Sequence, residues 1–258
     1  MNDDSSFLDI ADHLPINHGD MVLIGSDVFL LAANCRRSAK RFDGNLLIDS
    51  LIQKVGNTGT LLFPTFNWGF CRGETFDIKQ TKSETGSLSQ LALARQDFQR
   101  TQHPIYSFSV TGKLTDKLVS LDNKSAFGSD SPFGLLTKHH AKMLIIGIEY
   151  NHSLTYVHHV EELTGVPYRS IKNFQAPYID KTGDKNIKEY SMYVRRLEAG
   201  IINNLNPIGQ ILEDKKIANI QYFFNIKFVT LDLTKSFQII KNDIENNHSK
   251  NLVNFLDA

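Results

Sequence analysis

"KMLIIGIEYNHSLTYVHHVEELTG", Lys142 to Gly165, decides the fold. Its first seven residues, Lys142 to Ile148, form the most apolar run of the chain and read as a central strand buried on both faces. Apolar positions then recur at helical spacing, so a helix over Ser153 to Leu163 is expected to begin at the end of that strand. On such a helix Thr155, His158, His159 and Glu162 share one broad face, while Leu154, Val157, Val160 and Leu163 supply the docking stripe. The ends of strands in open α/β sheets are where ligands bind.

Working outward, "DMVLIGS" (Asp20–Ser26) reads as a buried strand, "DGNLLIDSLIQKV" (Asp43–Val55) as a helix stopped by Gly56, and "GTLLFPTF" (Gly59–Phe66) as a second strand. Strand, helix, strand predicts a βαβ unit and a partly parallel sheet. The polar stretch Asn67 to Glu84 is long enough to be a functional loop. Ser87 or Ser89 is placed to cap the helix that follows, and "YSFSVTG" (Tyr106–Gly112) alternates like a strand. Beyond Pro167 aromatic and branched residues dominate, with a turn at "KTGDK", a short helix over Asn206 to Lys216 and an amphipathic segment over Ser236 to Ile244. The expected fold class is α/β: one domain over 1–258, with a central mixed sheet flanked by helices, a β-rich part over 170–245 and a tail over 246–258.

The chain has 258 residues with 28 basic and 28 acidic side chains, so no net field attracts nucleic acid or a polycation. No apolar run reaches membrane-spanning length, and the opening "MNDDSSFLDIADH" is acidic rather than signal-like, which together predict a cytoplasmic protein. Cys35 and Cys71 stand in no metal-ligand spacing and are expected to stay reduced; no metal is expected.

The adjacent histidines allow two readings. Each is either a hydrogen-bonded core residue, or one of them is a neutral imidazole that accepts a proton from an incoming nucleophile. His103 precedes a proline at the entry to a strand, with Ser107 just inside it. "FGSDSPFGLL" (Phe127–Leu136) is a turn running into a helix, where backbone amides can meet phosphate or a carbonyl oxygen.

In order, "GDMVLIGS", "GNTGTLLFPTF", "ETGSLSQ", "RTQHPIYSFSVTG", "FGSDSPFGLL", "AKMLIIGIEYNHSLTYVHHVEE" and "VPYR" resemble the aminoglycoside 3-N-acetyltransferase family over Gly19 to Arg169. The resemblance implies an acyl-CoA-dependent N-acyltransferase using acetyl-CoA or another acyl-CoA as co-substrate. The family's T-x-x-H-x-x-E segment falls on Thr155, His158 and Glu161, with His158 as the implied base. Ser26, after the first strand, is the implied donor near the thioester. The "TGSLSQ" segment with Ser87 and the "SDSP" segment with Ser129 and Ser131 are implied to line the acyl-CoA or acceptor clefts. His103 and Ser107 carry the histidine–proline–serine element, architectural or cofactor-facing.

The resemblance also implies an acidic partner for the base from downstream of the helix, where "YVRRLEAGIINNLN" offers Glu198. The implied acceptor is a small-molecule amino sugar, sugar nucleotide or aminoglycoside, and the polar Asn67–Glu84 loop together with the β-rich part is expected to form its side of the site. A homodimer is one assembly these features allow. Two rival readings stay open: a ping-pong acyltransferase or thioesterase using Cys71, which stands beside Arg72, and a catalytically silent protein that binds acyl-CoA or a sugar nucleotide.

Overall fold

A computed structural model describes residues 7–38 and 41–255, with the backbone alone at Ala199 and Phe255. The first six residues of the acidic amino terminus and the last three of the tail lie outside the described residues.

Helix α1 (Ile10–His13) leads to strand β1 (Met21–Ser26), and helices α2 (Phe29–Arg37) and α3 (Gly44–Val55) lead on to β2 (Thr60–Pro64). The Asn67–Glu84 loop holds a 3-10 turn at Gly69–Arg72 and the short strand β3 (Phe76–Asp77). Next come α4 (Ser87–Ala94), β4 (Gln99–Arg100), β5 (Phe108–Gly112), α5 (Thr115–Val119), α6 (Pro132–Lys138) and β6 (Lys142–Ile146). Helices α7 (Tyr150–Ser153) and α8 (Val157–Thr164) precede the hairpin β7 (Arg169–Ile179) and β8 (Lys185–Arg195). The chain closes with β9 (Ile201–Asn203), α9 (Asn206–Asp214), β10 (Ala218–Phe223), β11 (Ile226–Asp232), α10 (Leu233–Asn247) and β12 (Val253–Phe255).

Among the described residues the main sheet has seven strands in the order β10-β11-β6-β1-β2-β5-β4. Its centre, β6-β1-β2, is parallel, and the flanking strands run antiparallel, so the sheet is mixed as expected. Alternation along the central strands divides the core. Met21, Leu23, Leu62, Met143 and Ile145 face one side, with Val157 and Val160 of α8 and Ile240 of α10. Val22, Ile24, Leu61, Phe63, Leu144 and Ile146 face the other, against Leu47, Ile48 and Leu51 of α3. Each of these buried apolar side chains contributes about 2 kcal/mol of hydrophobic free energy.

Three local readings are corrected. The expected helix over Ser153 to Leu163 is two helices separated at Leu154–Tyr156. Leu154 and Tyr156 are both fully buried, and residues two apart on one straight helix would point to opposite sides, so the backbone turns between them. No serine caps α4: its N-cap is Gly86, with φ of 88°. A Cβ there would stand 3.0 Å from the Ser26 carbonyl, so the bare backbone lets α4 approach the end of β1. Strand β5 starts at Phe108 because the amides of Ile105 and Tyr106 turn inward to His103 Nδ1, at 3.3 and 3.1 Å.

Because β1, β2 and β6 are parallel, their carboxyl ends share one edge of the sheet. The chain leaves β1 toward β2 on one side and returns through β6 on the other. That reversal opens a crevice above β1, the general binding position of open α/β sheets.

Candidate active site

A cavity of about 540 Å3 fills this crevice. Gly25, Ser26 and Asp27 at the end of β1 form its floor, and Glu84, Thr85, Gly86 and Ser87, entering α4, form one wall. Phe66, Trp68 and Tyr106 supply an aromatic wall, the Tyr106 ring 4.6 Å from Phe66 and 6.3 Å from Trp68 between centroids. Opposite them stand Asn151, His152, Ser153, Thr155 and His158. Among the described residues the lining carries the carboxylates of Asp27 and Glu84 and the imidazoles of His152 and His158, with no lysine or arginine. No lining residue comes from 170–245.

Buried hydrogen bonds fix these walls. The Arg100 guanidinium donates to the Thr65 carbonyl (2.8 Å), to Ser107 Oγ (2.9 Å) and to the Thr81 carbonyl, and lies 4.7 Å over the Phe76 ring. It thereby ties the loop that delivers Glu84 and Thr85 to the end of β2. Burial without a bonded carboxylate brings this arginine down to about 10. On the opposite wall, Tyr150 of α7 donates to Glu213 Oε1 at 2.9 Å, which docks α7 on α9.

His158 sits at the start of α8, with 13% of its side chain exposed. Its Nδ1 lies 2.7 Å from Glu161 Oε2, so Nδ1 carries the hydrogen and donates to the carboxylate. The ring's lone pair is then on Nε2, the nitrogen left for the cavity that the residue lines. Desolvation first, and then the Arg169 charge, lower the His158 pKa below 6.5, against the upward pull of Glu161. The imidazole is therefore neutral at neutral pH. Burial alone would raise the Glu161 carboxyl; the His158 hydrogen bond, the Arg169 charge and the Tyr168 hydroxyl (3.0 Å) outweigh it and hold the group below its ordinary value.

The acid beside the imidazole is thus Glu161, one turn along the same helix, and not a downstream residue. Glu198 is exposed in the 3-10 turn Leu197–Ala199. Of the other residues singled out in the sequence, Ser26, Ser87 and Thr155 line the cavity with His158. His159 points away: its Nδ1 donates to the Phe127 carbonyl at 2.6 Å, and Nε2 lies 3.1 Å from Thr137 Oγ1, so both nitrogens are engaged. Glu162 turns to Ser125 Oγ, which donates to it at 2.7 Å.

His103, Ser107, Ser129 and Ser131 are absent from the lining. His103 is buried, its Nε2 3.3 Å from the Ser191 carbonyl, and Ser107 Oγ donates to the Thr65 carbonyl at 2.8 Å. Ser131 caps α6 through the Gly134 amide, and Ser129 is exposed on the turn before it. Cys71 also lies off the cavity lining. Burial pushes its thiol up to about 11 despite the opposing charges of Arg72 and Lys172, contrary to the activation that Arg72 suggested in the sequence.

Sequence reasoning gave no role to Arg169, although it closes the quoted "VPYR", nor to Asp27, Phe66 and Tyr106, while Trp68 and Glu84 entered only as part of the acceptor-side loop Asn67–Glu84 and do line the cavity. The signal of the missed residues was position: each stands within a few residues of a strand end. Among the described residues no group of three or more His, Cys, Asp or Glu could hold a metal ion, and no helix is long and apolar enough to cross a membrane.

Fold and cavity together define an α/β protein with a cleft at the strand switch point and a carboxylate-oriented imidazole on its wall. The chain belongs to the aminoglycoside 3-N-acetyltransferase family, whose model matches residues 38–245. It is similar to the SPbeta prophage-derived aminoglycoside N(3')-acetyltransferase-like protein YokD of Bacillus subtilis (strain 168), at 26% identity over 229 residues, 80% of this chain and 81% of that one. Among solved structures, it resembles aminoglycoside acetyltransferase AAC(3)-Xa with a TM-score of 0.77 at 17% identity, covering 93% of this chain and 91% of that chain. It also resembles AAC-IIIb in its binary complex with CoASH, with a TM-score of 0.78 at 17% identity, covering 94% and 96%. At these identities the structural likeness is one of fold.

Proposed function

We propose that the protein is an acyl-CoA-dependent N-acyltransferase that transfers an acyl group, acetyl in the simplest case, directly to an amine of an amino sugar, a sugar nucleotide or an aminoglycoside. The observation that carries this reading is the His158 imidazole, held through Nδ1 by Glu161 with Nε2 left to the cavity. The family, and the CoASH complex of a protein of the same fold, support the thioester as donor.

In this mechanism the acceptor nitrogen attacks the thioester carbonyl while His158 Nε2 takes a proton from it. Glu161 stabilises the imidazolium as it forms. The Ser26 hydroxyl at the end of β1 is the candidate donor to the carbonyl oxygen as it gains charge. The C–S bond then breaks, and coenzyme A leaves as a thiol with the proton that His158 returns. Thr155, three residues before His158, lines the same cavity and is a candidate contact to the acceptor.

The cavity suits the reacting ends of both substrates. Among the described residues its lining is mostly apolar and hydroxyl-bearing with no lysine or arginine, which suits the acyl-pantetheine end of the donor. Asp27 and Glu84 attract a protonated amine, and the aromatic wall offers a face for a sugar ring. Two carboxylates balance a mono- or diamine better than a polycation, which favours an amino sugar over a highly charged antibiotic.

The test is incubation of the purified protein with acetyl-CoA and a panel of amino sugars, sugar nucleotides and aminoglycosides. Released coenzyme A is followed with a thiol reagent and products by mass spectrometry. Amine-dependent thiol release with an N-acylated product supports the reading. Thiol release that is blocked by alkylating Cys71 would replace it with the ping-pong alternative.

A further inference from the structure

We propose that Arg169 is a positioning residue for the His158 base, which holds Glu161 against Nδ1 and keeps the imidazole uncharged until the acceptor delivers its proton. This rests on the reading of His158 as the base.

One carboxylate oxygen serves both residues: Glu161 Oε2 is 2.7 Å from His158 Nδ1 and 2.7 Å from Arg169 Nε. The guanidinium, 5% exposed, is anchored from elsewhere, donating through its terminal nitrogens to Asn203 Oδ1 of β9 at 2.9 Å and to the Tyr193 carbonyl of β8 at 3.3 Å. Its Nε has no aligned hydrogen-bond acceptor, so its contact with Glu161 is one of charge. Two strands thus hold a fixed cation against the carboxylate that orients the ring.

The physical consequence follows from counting charge. A lone buried carboxylate touching an imidazole favours the imidazolium, which has no lone pair for an amine proton. A Glu161–Arg169 pair is neutral overall, so it orients the ring without filling its proton site. The other charged or titratable groups facing His158 are Arg195 on β8, Tyr168 before β7, Tyr106 before β5, and Asp27, Glu84 and His152 around the cavity. Of the charged groups among these, none touches the carboxylate that touches the ring.

The experiment titrates the His158 imidazole in the folded free protein by NMR between about pH 4 and 8, alongside the pH dependence of kcat/KM. Arg169→Gln should bind the imidazole proton about tenfold more tightly, with the acid limb of kcat/KM moving up equally, while Arg169→Lys stays near the wild type. A folded Arg169→Gln protein that titrates like the wild type overturns the proposal. An NMR shift without movement of the rate limb supports the role of Arg169 and overturns His158 as the base. Should Arg169→Gln fail to fold, Glu161→Gln is compared with the double variant Glu161→Gln, Arg169→Gln. Tighter proton binding in the double variant supports the proposal, and equal titration overturns it.

Discussion

His158 Nδ1 and Glu161 Oε2 are 2.7 Å apart on the first turn and a half of one helix, and the carboxylate is 1% exposed. The pair is buried on the carboxylate side and open to the cavity on the imidazole side. This fixes the tautomer, and with it the nitrogen available for proton transfer.

Glu161→Gln keeps the size of the side chain but removes the charge that stabilises a developing imidazolium. Under saturating substrates kcat should fall about a hundredfold, with little change in acyl-CoA affinity. Because the substitution leaves Arg169 buried without its counter-ion, it should also cost about 3 kcal/mol of stability, read from denaturant melts.

The rate profile follows from the sign of the His158 shift. The pKa is lowered, so the base is active above it and lost as pH falls through it. The enzyme limb of kcat/KM should therefore rise with pH and level off with a midpoint below 6.5. Acceptor ammonium groups add a second limb at higher pH that changes with the acceptor and not with the protein. An enzyme limb centred above neutrality would contradict the arrangement.

Buried histidines also set the pH dependence of folding. Burial lowers His103 from 6.5 to about 4, while hydrogen bonding to Ser191 opposes the shift. The folded protein therefore keeps this ring neutral where the unfolded chain protonates it. The stabilisation is complete above pH 6.5 and is lost as pH falls toward about 4, amounting to about 3 kcal/mol across that window. His159 is lowered in the same direction. Urea melts of wild type and His103→Asn should show a shallower acid slope in the variant.

If Asp27 and Glu84 attract the acceptor ammonium as proposed, Asp27→Asn and Glu84→Gln should each raise the KM for the acceptor amine by about three- to tenfold while leaving kcat nearly intact. Steady-state kinetics with one amino sugar, repeated at higher ionic strength to screen the attraction, checks this.

Much of the fold was legible in the sequence because its central strands are short, continuous apolar runs punctuated by glycine and proline. "MVLIGS", "TLLFP" and "KMLII" occupy their expected places, and Asp43 caps α3 as the start of a helical pattern implies. The break at Leu154–Tyr156 was hidden, since helical spacing on both sides reads as one helix, and only the burial of both side chains shows the turn. The His158–Glu161 spacing was visible. Its partner Arg169 was not, because the contact depends on how β7 leaves Gly165 and on Asn203, which lies 34 residues further along. Tertiary packing of this kind leaves no periodic trace.

The most direct test compares His158→Ala with His159→Ala in coenzyme A release, with acyl-CoA binding measured separately by calorimetry. Proton transfer through His158 predicts that its alanine variant binds acyl-CoA like the wild type yet turns over at least about a hundredfold more slowly, while His159→Ala, altered in a side chain bonded to Phe127 and Thr137, loses stability more than rate. Equal, small losses of rate in the two folded variants would contradict it.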